Sequence, residues 1–256
     1  MRPMRIAKAA AAGLICALLA ACTGKAVRDA DATGGLGAVQ KESPADLYVK
    51  LAVEYLKDGQ TETALRKIKK GLSVDDKNAQ AHNVIALIYQ NLGQSDLAEK
   101  HFRRAVSLQP KDPYILNAWG SFLCDERKYS DADEQFNNAL SNPLYGTPWV
   151  ALTNAGICAR RSGNTSKAED YLRRALSANP GFGPAMSAMA ETDYQQGRYK
   201  SARSYLDRYF KAAPATAQTL LLAVRVERKL GSRKRASRYE KLLRKNFPDS
   251  LQVLEL

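Results

Sequence analysis

Four cysteines and two histidines are the residues of this 256-residue chain with the most specific chemistry. Cys22 follows Leu19-Ala20-Ala21, at the end of an apolar run from Ala9 to Ala21 that Arg2, Arg5 and Lys8 precede. Small residues before the cysteine suit a cleavage site. A thiol delivered there to a membrane surface is a ready nucleophile for lipid transfer. Cys16 lies inside the same apolar run and would leave with it. His82 and His101 have no further histidine or cysteine at ligand spacing, so no metal centre is expected. No glycine-rich phosphate loop follows a strand pattern, and nothing singles out a catalytic triad. The expectation is a protein without cofactor and without enzymatic activity.

The elements that hold these residues come from a repeat. Ala64, Ala98, Ala132, Ala168, Ala202 and Ala236 recur in one local pattern, at spacings of 34, 34, 36, 34 and 34 residues. A glycine stands five positions before five of them, at Gly59, Gly93, Gly163, Gly197 and Gly231. A proline stands twelve positions after four, at Pro110, Pro180, Pro214 and Pro248. A fixed period of this length means a repeat array. In the second repeat, Ile85, Ala86 and Tyr89 and then Ala98, Phe102 and Ala105 fall at helical spacing. Gly93 between them suits a left-handed helix end, and Pro110 stops the second helix. One unit is therefore helix, turn, helix, stop. Small Ala98 and Ala105 let the helices approach, and Tyr89 and Phe102 fill the remaining space.

The other repeats fit the same template, through Leu51, Ala52 and Ile68, Trp119, Gly120 and Phe136, Gly156 and Leu172, Met189 and Leu206, and Ala223 and Leu243. In the last one Glu240 replaces the expected apolar residue, as suits a terminal repeat with one unburied face. These residues resemble the tetratricopeptide-repeat family over roughly residues 45 to 250. The resemblance implies an all-α, right-handed superhelical solenoid of about six repeats, near 45–78, 79–112, 113–148, 149–182, 183–216 and 217–250. The two extra residues between repeats three and four fall in Ser141-Asn142-Pro143-Leu144-Tyr145-Gly146-Thr147-Pro148. They are either a tolerated loop insertion or a change of superhelical turn.

The leader, residues 1–21, resembles the bacterial lipoprotein signal. Its apolar run is too short for a permanent span. The resemblance implies that Cys22 is acylated and becomes the mature N-terminus; an ordinary secretory signal is the alternative. Thr23, where aspartate would mark inner-membrane retention, points to the outer membrane. Residues 22–44, with Gly34-Gly35 and few large apolar side chains, read as a lipidated flexible tether with a reach of roughly 25 Å. The solenoid is expected over 45–256.

Formal charge is +13, of which the leader carries three positives. From Arg225 to Lys245 ten basic residues face only Glu227 and Glu240. The strip is either a solvated face or a surface for an acidic partner or anionic headgroup. Nucleic acid does not suit an exported lipoprotein. Cys124 and Cys158 fall near the ends of first helices in adjacent repeats. In an oxidising compartment they are either a disulfide or two buried thiols.

First helices line the inner face of such stacks. Val49, Val53, Leu56, Asn83, Leu87, Gln90, Asn117, Ser121, Thr153 and Ile157 are the expected partner groove. The aliphatic residues offer pockets, while asparagine and glutamine can bond an extended backbone. The signal, the tether, the six repeats and the strings Ala81-His82-Asn83-Val84-Ile85-Ala86-Leu87-Ile88-Tyr89 and Asn117-Ala118-Trp119-Gly120-Ser121-Phe122-Leu123-Cys124 together resemble the type IV pilus pilotin family (PilF/PilW). That resemblance implies an outer-membrane lipoprotein, anchored on the periplasmic face through Cys22. It would bind subunits of the pilus secretin and promote their localisation and multimerisation. Paired cysteines in repeats three and four also occur in some members of that family, which favours the disulfide between Cys124 and Cys158. A monomer is expected. The alternative is a periplasm-facing repeat lipoprotein that scaffolds cell-envelope enzymes or outer-membrane protein assembly.

Overall fold

The computed structural model describes residues 43–256. The leader, Cys22 and the linker up to residue 42 lie outside the described residues. Among the described residues there are thirteen α-helices and no strand. They fall into two compact units, an N-terminal one of residues 43–126 and 137–146 and a C-terminal one of 127–136 and 147–256.

The N-terminal unit contains α1 (Pro44–Lys57), α2 (Thr61–Val74), α3 (Ala79–Asn91), α4 (Ser95–Leu108) and α5 (Pro113–Asp125). Helices α1 and α2 form one antiparallel pair, α3 and α4 the next, and α1, α3 and α5 lie side by side. The alanines of the period are fully buried between paired helices: Ala64 with Ile68, then Ala98 with Phe102 and Ala105. Their missing bulk is what lets two backbones approach. Polar caps fix where each first helix starts. Ser43 and Asp46 form a reciprocal capping box at α1, which satisfies two otherwise orphaned N–H groups. The Ser43 hydroxyl bond, helped by the Asn78 amide, holds the Asp46 carboxyl below its ordinary pKa. Asn78 caps α3 through Ala81 N, and its Nδ2 donates to Asp46 Oδ1 at 2.8 Å. One repeat later Asp112 caps α5 and accepts from Gln80 Nε2 at 2.9 Å. Cap side chains thus bond each first helix to the next.

Helix α6 (Tyr129–Leu140) contributes residues to both units. The C-terminal unit continues with α7 (Pro148–Arg161), α8 (Thr165–Ala178), α9 (Gly183–Gln195), α10 (Tyr199–Ala212), α11 (Ala217–Lys229), α12 (Arg233–Asn246) and the short α13 (Leu251–Leu254). Helices α7 and α8 approach closely at Gly156, where an added Cβ would lie 2.7 Å from Leu172 Cγ. Glu240, which breaks the apolar pattern, reaches Arg228 at 2.7 Å. Leu251 opens α13 34 residues after Ala217 opens α11. The period therefore runs into a seventh frame, where Val253 and Leu256 pack on Leu220, Leu221 and Leu243.

Between paired helices the backbone turns through φ of +70° to +83° at Gly59, Gly93, Gly163, Gly197 and Gly231. The third repeat lacks that glycine. Arg127 holds the place and takes φ 60° itself, the one non-glycine among the described residues with positive φ.

Two buried acids organise the C-terminal unit. Glu227 is 2% exposed and accepts from Arg203 Nε at 3.0 Å and from Arg235 Nε at 2.9 Å. Asp193, 3% exposed, accepts from Arg198 Nε at 2.7 Å and from the Ser201 hydroxyl at 2.5 Å. Each buried carboxylate is thus held by a partly exposed cation, the arrangement that makes burial of the charge tolerable.

Candidate functional site

Eight of the ten expected groove residues belong to the N-terminal unit, on the face made by α1, α3 and α5. The three helices carry apolar and amide side chains at equivalent turns. Val49 and Gln90 are half-buried, and Val53, Leu56 and Leu87 keep only a sliver of exposure. Asn83 lies between the aliphatic residues of its helix at 5% exposure, and its Oδ1 has no hydrogen-bond partner. A buried carbonyl without a donor costs about 1–3 kcal/mol. It is an acceptor with an open valence on a face of mixed apolar and amide side chains.

The polar residues on this face are not all open to a partner. Gln90 Nε2 already donates to Asp125 Oδ2 at 2.8 Å. The Ser121 hydroxyl donates to Asn117 O of its own helix at 3.0 Å, and Asn117 is 3% exposed. In the C-terminal unit Thr153 is 1% exposed and donates to Trp149 O at 2.7 Å. Asn117, Ser121 and Thr153 are therefore structural: tight helix packing covers them, and the two hydroxyls donate to carbonyls one turn back. The expected backbone-bonding set reduces to Asn83, with Gln90 available only by exchanging its bond to Asp125. Ile157 remains half-buried in the C-terminal unit.

Arg160 was not among the expected groove residues. It holds in the fourth repeat the place of Gln90 in the second. Its Nε is buried without a partner, and burial lowers the guanidinium pKa, against the pull of Glu191. The shared repeat position was the one signal that could have singled it out.

Cys124 and Cys158 are buried, at 5% and 3% exposure. His82 is half-buried. Its Nδ1 faces His101 Nδ1 at 2.9 Å, its Nε2 lies 3.0 Å from Asp76 O, and the two rings stack. His101 also stacks on Tyr89. Among the described residues no group of three or more His, Cys, Asp or Glu side chains could hold a metal ion. No helix there is long and apolar enough to cross a membrane.

Known proteins place this arrangement in a family. Tetratricopeptide repeat profiles match residues 79–112 and 159–224. The type IV pilus assembly protein PilF of Pseudomonas aeruginosa is 27% identical over 215 residues, which are 84% of this chain and 85% of that protein. The solved structure of PilW, described as a widely conserved type IV pilus biogenesis factor, is 34% identical with a TM-score of 0.75. The match covers 84% of this chain and 99% of PilW. The solved structure of Pseudomonas aeruginosa PilF is 27% identical with a TM-score of 0.69, over 82% of this chain and 95% of that one. A chain of the APC/C hetero-tetramer Cut9–Hcn1 shares only the fold, at 15% identity and a TM-score of 0.71 over 82% of this chain and 42% of that one. The chain is an all-α tetratricopeptide-repeat protein, and it belongs to the PilF/PilW family of type IV pilus biogenesis proteins.

Proposed function

We propose that this protein is a pilotin. It captures subunits of the pilus secretin on the α1–α3–α5 face and promotes their localisation and multimerisation in the outer membrane. The observation that carries the reading is Asn83. Its buried carbonyl lacks a donor and lies one helical turn from Leu87, on the face to which α1 contributes Val53 and Leu56. An extended or helical segment laid there buries apolar side chains and supplies one N–H, which turns a cost in the free protein into a gain in the complex. The protein works by holding a polypeptide, with no bond made or broken.

Acylation of Cys22 would anchor it to the periplasmic face of the outer membrane. Capture on a surface raises the effective concentration of the bound secretin segment there. Several acyl chains, at ~0.8 kcal/mol per buried methylene, suffice for stable anchoring. In that oxidising compartment Cys124 and Cys158 would be joined as a disulfide. Deleting the protein tests the function. Loss of secretin multimers with monomer levels intact supports the pilotin reading; unchanged multimers exclude it.

A further inference from the structure

The C-terminal unit carries a second surface that the pilotin reading does not use. Helix α12 places Lys234, Arg238, Lys241 and Lys245 at i, i+4, i+7 and i+11, one stripe along its length. With Ser237 and Leu242 they line a shallow open hollow. Arg233 and Arg244 extend the charge, and all six cations are exposed. Among the described residues no carboxylate pairs with any of them. Glu227 is taken by Arg203 and Arg235, Glu240 by Arg228, Glu255 by Arg225 and Asp207 by Arg235, while the exposed Asp249 beyond the helix pairs with none of the six. Six unneutralised charges on a 14-residue helix repel one another. The stripe therefore costs stability in the free protein, and a negative counter-surface would relieve it.

We propose that the α12 stripe docks on an anionic lipid surface. The stripe lacks what a protein partner would need. Interfaces between proteins concentrate binding energy in buried aromatic or aliphatic anchors, and here the one apolar lining residue is the half-buried Leu242. Long, separate ammonium and guanidinium groups on an exposed stripe suit a diffuse negative field instead. Each cation brought to such a surface strengthens binding about fivefold. The inference rests on the reading of Cys22 as lipidated only for its setting: the acyl chains would keep the protein at a bilayer, and the stripe would fix which side of the C-terminal unit faces it.

The test uses the full chain carrying Cys22→Ser, so that acyl chains cannot mask the effect. It is compared with the same chain carrying Lys234→Gln, Arg238→Gln, Lys241→Gln and Lys245→Gln. Glutamine keeps helix propensity, and circular dichroism checks the fold. Co-flotation is measured with phosphatidylcholine vesicles, with and without phosphatidylglycerol. The stripe gives at least about tenfold stronger partition to the anionic vesicles at ~0.15 M salt, lost at ~1 M where screening shortens to ~3 Å. The fourfold variant loses that preference. Equal preference in both chains, salt-resistant binding, or binding to polyglutamate in place of the vesicles overturns the proposal. Mass analysis of the mature N-terminus and secretin capture report separately on acylation and on the pilotin reading.

Discussion

The Nδ1 atoms of His82 and His101 face each other at 2.9 Å, so one ring must donate and the other accept. Protonating both breaks that bond. Burial, and then the charges of His82, Lys100 and Lys69, lower the His101 pKa from 6.5 to about 4. The folded protein thus keeps His101 neutral where the unfolded chain protonates it. Stability from this group is complete above pH 6.5 and falls as pH drops toward 4. The sensitive window is pH 6.5 to 5, where most carboxylates stay ionised. Thermal melts show a decline there that His101→Phe reduces; identical slopes contradict the pairing.

Arg127 occupies a left-handed turn that glycine fills in the five other repeats. An L-residue there costs about 1–2 kcal/mol, partly offset by the extra chain entropy of glycine when unfolded. Arg127→Gly raises stability by up to about 1 kcal/mol. A denaturant titration with an unchanged slope and a higher midpoint verifies it, and a lower midpoint contradicts it.

Gly156→Ala tests the close approach of α7 and α8. The new Cβ would meet Leu172 Cγ at 2.7 Å and Ala168 O at 3.2 Å. The side chain can move, but the carbonyl belongs to α8, so the helices must separate. The expected loss is about 1–3 kcal/mol. An unchanged unfolding midpoint would show that the α7/α8 packing is looser than described.

The fold was legible because close helix approach demands small residues and tight turns demand glycine. Those needs repeat with the structure, so Ala64 to Ala236 printed the period. That one frame lacks its glycine was legible too, but not that Arg127 takes the left-handed turn in its place. The site was less so. Sequence spacing puts Asn117, Ser121 and Thr153 on the first-helix face, but it does not report how deeply packing covers them. Nor does it show that Gln90 meets Asp125, 35 residues away. Glu227 reads as one acid in a basic run, yet the fold buries it between two arginines. Side-chain pairings between repeats depend on register, which composition does not carry.

Asn83→Leu separates stability from function. Removing the orphaned carbonyl leaves the free protein as stable or more so, by up to about 1 kcal/mol. Capture of the secretin weakens by about tenfold, since one charge-neutral hydrogen bond is worth roughly 1–1.5 kcal/mol. Melting and pull-down on the same preparation read both. A variant that melts earlier and binds as before contradicts the role given to Asn83.

The central claim is that a secretin segment lies on the α1–α3–α5 face. A photo-crosslinking residue placed at Val49 or at Gln90, both half-buried on that face, tests it in cells that make the secretin. The control is the same residue at Lys70, exposed on α2. The account predicts secretin adducts from Val49 and Gln90 and none from Lys70. Adducts from Lys70 alone, or none from the face while secretin multimers still form, would contradict it.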